Sequence, residues 1–304
     1  MLKLNNKQLE YAIELSKSLN FSTTAEKLKI SQPALSKHIS NLEKELGTLL
    51  FDRRKNPIEL TAAGEYFFRE IKDVLFREKQ LYRSMADFNS EVRGNLTIGI
   101  SPFRSLYFVH EALAKINEKY PKVKIILREY SSDILRENAA EGNYDFAIVN
   151  LPVDESVFDI YPLEKETLVL AVPEKLASSL PDTYKKMNEI DFRFCEKLPF
   201  IAVTPSQEMR RIYEKMCAEA EITPNIAMEV VGLNTAWTMV RAGIGATLLP
   251  AKFIESTPYK EDVRLYVPKG NITTRLPAII TRHGQHLPEY SKYAIELLSG
   301  KAFD

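Results

Sequence analysis

Hydrophobic and polar positions along the first sixty residues alternate with the period of short amphipathic helices. Apolar side chains recur on one helical face between residues 9 and 19, and the stretch "NFS" then interrupts the pattern. Thr23 and Glu26 have the spacing of a capping box, in which each side chain binds a free amide of the other residue. This spacing predicts a second short helix that opens at Thr23 and ends near Leu28.

A third helix is predicted between Ser31 and Gly47. Ser31 can cap the first turn, Pro33 stands where no amide partner is lost, and Gly47 ends the apolar pattern. The inward face of this helix consists of Ala34, Leu35, Ile39, Leu42 and Leu46. Two short helices joined by a tight turn, the second opening with polar residues, are typical of a helix-turn-helix. The next stretch, "LLFDRRKNPIELT", holds a basic cluster between two short extended runs, as a wing does.

The exposed front of the third helix carries Gln32, Pro33, Ser36 and Lys37. Side chains at this place can reach base edges in a DNA major groove. A solvated helix start in an ordinary helical domain remains the alternative, because the pattern alone does not name the partner.

A long helix is predicted from Thr61 to residue 93, because no proline or glycine interrupts residues 65–93. Its apolar residues follow a heptad seam that consists of Phe67, Ile71, Val74, Leu81 and Met85. A helix of about 28 residues extends roughly 40 Å, which is too long to bury against a domain of about sixty residues. A partner helix from a second subunit is therefore expected to cover the seam. Packing on the C-terminal region of the same chain is the alternative.

The pattern changes at Gly94, which we expect to act as a swivel, and strands then alternate with helices. The candidate strands are "LTIGI", "VKIILREY", "YDFAIVN", "TLVLAVP", "PFIAVT", "IAMEVV", "ATLLP" and "LPAIITR". Helices are predicted over residues 104–119, 206–220 and 235–242. The chain is thus expected to be α/β with an all-α N-terminal part, divided into residues 1–60, a linker helix over 61–93, and an α/β region over 94–304.

The composition is that of an ordinary globular protein, with 45% hydrophobic and 27% charged residues. Forty-one Lys+Arg residues balance 41 Asp+Glu residues, but residues 1–60 carry ten basic against seven acidic residues, a net charge of +3. Neither a signal peptide nor a run of about 18 apolar residues is present, which predicts a cytoplasmic protein. The two cysteines, Cys195 and Cys217, are then expected to be reduced thiols.

Residue patterns for catalysis or metal binding are missing from the sequence. His283 and His286 lie in the loop "TRHGQHLP", with no carboxylate or cysteine at ligand spacing. There is no phosphate-binding loop and no "GxSxG" or "CxxC" motif. We therefore expect no enzyme activity, no metal and no cofactor.

Polar residues that can cap a helix follow several of the candidate strands. Ser101 follows "LTIGI", Ser131 follows "IILREY", and Thr204 follows "PFIAV" with Gln207 at capping-box spacing. In an α/β sheet such helix starts gather at the carboxyl ends of the strands, where free amides favour an anion. A small carboxylate or oxyanion ligand is therefore predicted, although helix capping alone would also account for these residues.

The stretches "FSTTAEKLKISQPALSKHISNLEKELGTLLFDRR" and "IELTAAGEYF" closely resemble the winged helix-turn-helix of the LysR-type transcriptional regulators. Looser similarity continues through "GNLTIGIS", "EGNYDFAIV", "VRAGIGATLLP" and "HLPEYSKYAIELL", so the resemblance covers essentially the whole chain. It implies a periplasmic-binding-protein-like effector domain of two α/β lobes, with crossovers near residues 160–165 and 264–269. Lobe I would hold residues 94–163 and 266–304, and lobe II would hold residues 164–265.

The same resemblance implies the residues of the binding sites. Contacts with DNA bases map onto Gln32, Pro33, Ser36 and Lys37, and a wing contact maps onto Arg53. Lys37 stands where many members have arginine, so looser base selectivity is expected. Contacts with the effector map onto Ser101, Pro102, Phe103, Ser131, Asn150 and Thr204. Cys195 and Cys217 are 22 residues apart and do not match the closely spaced cysteine pair of the peroxide-sensing subfamily.

These inferences predict a homodimeric or homotetrameric transcription regulator that binds double-stranded operator DNA and a small anionic effector. The alternative is a solute-binding or enzymatic α/β protein whose N-terminal helices serve only for association. Binding to duplex DNA with a steep salt dependence would belong to the regulator alone.

Overall fold

The computed structural model describes residues 6–87, 94–181, 189–257, 262–270 and 273–302. The chain forms two compact units, residues Met1–Tyr82 and Arg83–Asp304, which we call the N-terminal and C-terminal units. Within the described ranges, no helix is long and apolar enough to cross a membrane.

The N-terminal unit is helical apart from one short β-ribbon. Its elements are α1 (Asn6–Ser18), α2 (Phe21–Lys27), α3 (Gln32–Leu46), β1 (Phe51–Asp52), β2 (Glu59–Leu60) and the beginning of α4 (Ala62–Asp87). β1 and β2 pair antiparallel, so the chain turns back on itself in the predicted wing. Leu35, Ile39 and Leu42 are fully buried against α1 and β1, and this apolar face fixes the orientation of α3.

The ends of α3 follow the sequence, whereas the start of α2 does not. Ser31 Oγ accepts a hydrogen bond from the Ala34 amide at 3.3 Å, and Gly47 ends the helix with φ 71°. α2 begins at Phe21, because Asn20 Oδ1 accepts from the amides of residues 22 and 23 at 2.9 and 3.1 Å. The predicted capping box is therefore wrong, since Asn20 caps the helix earlier and leaves Thr23 inside it.

α4 starts where the sequence predicts, since Thr61 Oγ1 accepts from the Gly64 amide at 2.9 Å. The helix is described to Asp87, and its predicted end at residue 93 lies outside the described residues. Ile71 is buried and Phe67 packs beside it in the hydrophobic core of the N-terminal unit. These two residues thus contribute to the core of their own chain, and their assignment to a dimer seam stays a prediction.

The C-terminal unit contains two five-stranded sheets, and we call each sheet with its helices a lobe. The sheet of lobe I has the order β4-β3-β5-β14-β6, with β3, β4 and β5 parallel and β14 antiparallel to both of its neighbours. Its strands are β3 (Gly94–Ile100), β4 (Val123–Glu129), β5 (Phe146–Asn150), β6 (Phe158–Pro162) and β14 (Pro277–Arg282). Its helices are α5 (Pro102–Ser105), α6 (His110–Lys119), α7 (Ser132–Ala140) and α12 (Glu289–Ser299).

Lobe II is built around β7, which pairs antiparallel with β11, β12 and β13. Its strands are β7 (Glu166–Pro173), β8 (Glu189–Ile190), β9 (Phe200–Val203), β10 (Ile226–Val230), β11 (Thr247–Pro250), β12 (Val263–Pro268) and β13 (Thr274–Arg275). Its helices are α8 (Glu174–Ala177), a 3₁₀ turn (Phe192–Cys195), α9 (Glu208–Glu219), α10 (Leu233–Arg241) and α11 (Ala251–Ser256). β9 and β10 form a separate parallel pair, and one continuous apolar core joins it to the β7 sheet.

The chain passes from lobe I to lobe II between Pro162 and Glu166, and it returns between Arg275 and Pro277. The return predicted at residues 264–269 is wrong, because β12 and β13 both still pair with β7. β12 has the sequence "VRLYVP", and its first three residues are all half-buried. This strand is absent from the candidates that the sequence predicted.

Gly94 lies so close to the side chain of Tyr290 that only a glycine fits there. The sequence predicted a swivel at this position instead. A Cβ atom built on Gly94 would lie 2.6 Å from the Tyr290 hydroxyl oxygen. Tyr290 belongs to α12 and is buried in lobe I, so it cannot move aside without loss of packing. The glycine therefore lets the first strand of lobe I pass beside the last helix.

Candidate functional site

The front of α3 presents a small polar surface on a rigid support. Gln32, Pro33 and Lys37 are exposed, and Ser36 is half-buried. These four side chains occupy the first two turns of a helix whose opposite face is buried in the core. The structure therefore brings the predicted base-contacting residues together on one helix face.

Arg53 lies at the end of β1 and its side chain is bound to α3. Its guanidinium donates to Glu43 Oε2 at 2.7 Å, to Ser40 Oγ at 3.3 Å and to Ser36 Oγ at 3.5 Å. About a third of the side chain remains exposed. Arg53 thus connects the wing to the front of α3, and this is its observed role in the structure.

Glu43 is a buried carboxylate that is not among the residues predicted from the sequence. Its Oε1 accepts from the backbone amides of Leu50 and Phe51 at 2.9 and 3.2 Å, while Oε2 binds Arg53. The signal in the sequence was an acid at the fourth position after Ile39, on the inward face of the helix. Glu43 fixes the wing against α3.

The tip of the wing carries two further cations that pair with acids of the same segment. Arg54 donates to Asp52 at 2.9 Å, and this hydrogen bond lowers the pKa of the Asp52 carboxyl to about 2. Lys55 is paired with Glu59. All these pairs are exposed, so they contribute little stability, and their cations can exchange an acid for a phosphate.

A cleft of about 700 Å³ lies between the two lobes of the C-terminal unit. It is open at the carboxyl ends of β3, β4 and β5 in lobe I and of β9 and β10 in lobe II. The residues predicted to contact the effector all line it, and they are Ser101, Pro102, Phe103, Ser131, Asn150 and Thr204. The structure therefore brings together residues from segments that are far apart in sequence.

Only one of the two predicted capped helix starts, the one at Ser101, is present in this cleft. Ser101 Oγ does accept from the Arg104 amide at 3.4 Å, but α5 has only four residues and hence a small dipole. Thr204 is not a cap, because α9 begins at Glu208, after a turn in which the Gln207 amide donates to the Thr204 carbonyl. Ser131 precedes α7 but makes no side-chain cap bond. The prediction that two capped helix starts hold the anion is therefore wrong.

The floor of the cleft instead contains a buried network of charged groups around Glu166. Tyr107 donates to Glu166 Oε1 at 2.9 Å, and Arg104 and Arg275 donate to Oε2 at 3.1 and 2.6 Å. Burial acts to raise the pKa of Glu166, but the two arginines and the tyrosine outweigh it and hold the pKa at about 2. Burial also raises the pKa of Tyr107 to about 12, so it remains a hydrogen-bond donor.

This network connects the lobes directly. Arg104 of lobe I donates to Asn150 Oδ1 at 2.8 Å as well as to Glu166 of lobe II, and the Asn150 amide donates to Glu208 Oε2 of lobe II. Of the residues in this network, only Asn150 is among those predicted from the sequence. Glu166 and Arg275 lie at a strand start and a strand end, where charged residues are common, so their pattern gave no signal.

The cysteines and His283 have structural surroundings. Cys195 and Cys217 are both free and buried, and burial raises the pKa of each thiol, to about 12 for Cys195. Thiols of this kind are unreactive. The His283 ring lies 2.6 Å from Asp159 Oδ1 and 2.8 Å from the Glu155 carbonyl oxygen. In the part of the chain that the structure describes, no group of three metal-binding side chains is found.

A helix-turn-helix with a wing, joined to a two-lobe α/β unit with a polar cleft, defines a ligand-responsive DNA-binding regulator as the class of this protein. Family models agree with both parts. Residues 6–65 match the model described as "Bacterial regulatory helix-turn-helix protein, lysR family", and residues 89–302 match "LysR substrate binding domain". The chain belongs to the LysR family of transcriptional regulators.

Known relatives and solved structures give the same assignment. The chain is 31% identical to the Bacillus subtilis (strain 168) "Uncharacterized HTH-type transcriptional regulator YcgK" over 80% of this chain and 79% of that protein. It is 30% identical to the HTH-type transcriptional regulator AlsR of the same organism, over 81% and 80% of the two chains. The fold is similar to that of a full-length OxyR variant from Pseudomonas aeruginosa, with a TM-score of 0.64 and 22% identity over 98% of this chain and 94% of that chain.

Another solved structure with this fold is full-length CbnR complexed with its target DNA, with a TM-score of 0.56 and 20% identity over 97% of this chain and 100% of that chain. The family confirms the predicted DNA-binding regulator with an effector-binding domain. It also confirms that the chain is not an enzyme, because the relatives are transcriptional regulators. The alternative, an enzymatic or solute-binding protein, is therefore not supported.

Proposed function

We propose that this protein is a sequence-specific regulator whose binding to operator DNA is controlled by a small anionic metabolite. The observation that supports the DNA-binding surface is the exposed front of α3, where Gln32, Pro33, Ser36 and Lys37 stand on a buried apolar face. Double-stranded DNA is the partner of that surface. Because the operator is its target, the protein acts in the cytoplasm.

Base recognition by Lys37 and Ser36 is tested by operator binding. Replacing either residue with alanine removes contacts at base edges, and we expect a loss of about 1–3 kcal/mol in specific binding. Lys44→Ala is the matched control, because Lys44 is exposed at the far end of the same helix. Operator affinity that is unchanged in both Lys37→Ala and Ser36→Ala would contradict the assignment.

Phosphate contact by the wing has a different signature. Lys55 is exposed and its ion pair with Glu59 is exposed too, so it can turn to a phosphate. Lys55→Ala should weaken binding to operator and random DNA alike and lower the salt dependence of binding. A selective loss of operator binding in this variant would assign Lys55 to base recognition instead. Arg53 is proposed as a wing contact in addition to its bonds with α3.

We propose further that the protein is a homodimer through α4, and a tetramer by association of dimers. Val74, Leu81 and Met85 are exposed on one face of α4 at spacings of seven and four residues. Burying this face across a two-fold axis would place two DNA-binding surfaces on two half-sites. A palindromic operator is the expected consequence.

The anionic effector is proposed to bind in the cleft of the C-terminal unit. Its support is the lining, which combines hydroxyl and amide groups of Ser101, Ser131, Asn150 and Thr204 with the buried guanidinium of Arg275. Hydroxyl and amide donors orient a ligand, and an arginine selects an anion. The positive charge proposed to attract the anion is thus carried by the Arg275 side chain, whereas the sequence suggested helix dipoles.

Thermal-shift screening with small carboxylates and inorganic oxyanions tests this effector site. A stabilising anion should lose effect in Ser101→Ala and Thr204→Val, whereas Ser178→Ala, at an exposed position in lobe II, should respond as the parent does. Hits that are exclusively neutral or cationic would rule out the anionic effector, while leaving DNA binding by α3 untouched.

A further inference from the structure

Arg275 is a buried arginine with few partners among the described residues. Its side chain is only 10% exposed, and Nη2 donates to Glu166 at 2.6 Å. Nη1 lies 3.4 Å from the Met209 sulfur and 3.8 Å from a Glu208 oxygen, and Nε has no hydrogen-bond partner within the described ranges. A guanidinium carries five N–H donors, and burial of an unpaired donor is costly. Arg275 therefore has donor capacity left over, and it lines the cleft.

Glu208 is the carboxylate nearest to this spare capacity. It is the first residue of α9, its side chain is 30% exposed, and it accepts a hydrogen bond from the Asn150 amide across the cleft. Glu166, by contrast, is almost fully buried and accepts from three donors. Of the two carboxylates in the network, Glu208 is therefore the one whose side chain can move out of the network into solvent.

Charge balance restricts how an anion can enter this site. Arg104 and Arg275 are matched by Glu166 and Glu208, so the network is neutral as it stands. Adding an anion beside Arg275 would leave the network with one excess negative charge, which is unfavourable close to the buried carboxylate of Glu166. An anion that takes the place of the Glu208 side chain keeps the balance unchanged.

The rest of the cleft indicates what is attached to the anionic group. Its volume of about 700 Å³ is far larger than a carboxylate requires, and it falls in the range of sites for larger small molecules. Three apolar side chains of its lining, Leu106, Tyr130 and Val231, are exposed, and Val231 reaches 76%. A ligand with an apolar portion would remove this surface from water.

We propose that the effector is a carboxylic acid with an apolar body, and that its carboxylate binds Arg275 and Asn150 by displacing the side chain of Glu208. Glu208 is thus an internal competitor that occupies the anion site when the effector is absent. Displacement breaks the Asn150–Glu208 hydrogen bond between the lobes, so ligand binding is tied to the position of lobe II. The inference rests on the proposed effector site and adds Arg275 and Glu208 as the residues that make this site selective for an anion.

Calorimetric titration of the full-length protein with hexanoate, hexanamide and hexylammonium tests the proposal. These probes share one apolar chain and differ in charge. Hexanoate should bind saturably, and at least about tenfold more tightly than the other two. If the parent binds no hexanoate, or prefers hexylammonium, the proposal is overturned.

Variants of the two key residues separate this inference from the wider effector proposal. Glu208→Gln keeps a group for Asn150 to donate to but removes the competing charge, so hexanoate should bind about tenfold more tightly while hexanamide is unaffected. Glu214→Gln is the matched control, because Glu214 is an exposed acid on the same helix and does not line the cleft. Arg275→Gln should weaken hexanoate binding about tenfold or more. Arg275→Lys keeps the positive charge and should restore part of the binding, and it serves as the test if the glutamine variant fails to fold.

If Glu208→Gln binds hexanoate no more tightly than the parent does, the proposed displacement of the Glu208 side chain is overturned. If hexanoate binding depends on Ser101 and Thr204 but ignores Glu208 and Arg275, the anionic cleft stands and this inference fails.

Discussion

At the scale of single residues, Glu43 shows how one buried carboxylate can shape the proposed DNA-binding surface. Its two oxygens bind two backbone amides at the base of the wing and the guanidinium of Arg53. Arg53 in turn approaches Ser36, one of the proposed base contacts. The relative position of wing and α3 therefore depends on a residue buried behind both.

We expect Glu43→Ala to lower the free energy of unfolding by about 1–3 kcal/mol, because it leaves two buried amides without an acceptor. Urea unfolding of the full-length protein measures the change. Glu45→Ala, an exposed acid on the same helix, is the control. Equal stability of the two variants would show that water replaces the carboxylate at these amides.

His283 is a residue whose protonation can be followed directly. Hydrogen bonds to the Glu155 carbonyl and to the Asp159 carboxylate raise the pKa of the imidazole above its ordinary value of 6.5. A raised pKa means that the contribution to stability is complete below about pH 6.5 and is lost as the pH rises through the folded-state pKa.

Titration of the His283 ring by NMR should therefore give a pKa above 6.5, and Asp159→Asn should bring it down because one favourable partner for the cation is removed. The decrease in the pKa of His283 measures the contribution of Asp159, because the hydrogen bond to the Glu155 carbonyl remains. A pKa at or below about 6.5 in the parent would contradict this pair of hydrogen bonds, because a neutral imidazole carries one N–H and can donate to only one of the two acceptors.

At the scale of elements, α4 divides its apolar residues between two tasks. Phe67 and Ile71 belong to the core of the N-terminal unit, while Val74, Leu81 and Met85 are exposed and continue the same face. The heptad pattern could not separate these groups, because apolar spacing is the same whether the partner is the same chain or a second one.

Leu81→Asp should abolish or strongly weaken dimerisation, since a charge in an apolar helix interface has no partner. Operator binding should fall with it, because two half-sites are no longer bound together. Sedimentation velocity measures the oligomer, and Lys72→Asp, on the opposite face of α4, is the control. A Leu81→Asp variant that sediments as the parent does would place the dimer contact elsewhere.

Local signals made much of the fold predictable, and long-range contacts account for what was missed. Ser31 caps α3 with its side chain, and Pro33 and Gly47 favour its start and end through their backbone geometry, so the sequence alone places that helix. The six predicted effector residues come together because the carboxyl ends of the strands meet at one cleft. Arg275 and Glu208 could not be found, because their importance comes from a neutral charge network that only tertiary folding assembles. The late return to lobe I was missed for the same reason, since β12 is defined by its pairing with β7.

At the scale of the whole molecule, control by a metabolite requires that the ligand bind two arrangements of the protein with different affinity. A ligand that binds both arrangements equally shifts nothing, however tightly it binds. The cleft offers a source of such a difference, because Arg104, Asn150 and Glu166 bind across the two lobes. Any movement of one lobe against the other must rearrange these bonds.

Glu166 gives this connection between the lobes a measurable dependence on pH. Burial alone would raise its pKa, but Arg104, Arg275 and Tyr107 outweigh burial and lower the pKa from 4.5 to about 2. The stabilisation is therefore complete above about pH 4.5 and is lost as the pH falls toward 2, with a total of up to about 3 kcal/mol.

Glu166→Gln should lower the free energy of unfolding of the C-terminal unit at pH 7, because it leaves Arg104 and Arg275 with less compensating charge. As the pH falls below about 4.5, the parent loses the same contribution, and the gap between parent and variant should narrow by about 2 kcal/mol near pH 3. Urea unfolding at pH 7, 5, 4 and 3, followed by the fluorescence of Trp237 in lobe II, gives both curves. Glu137→Gln, an exposed acid of lobe I, shows the general acid sensitivity of the protein. A gap that stays constant from pH 7 to pH 3 would mean that Glu166 does not hold the lobes through its charge.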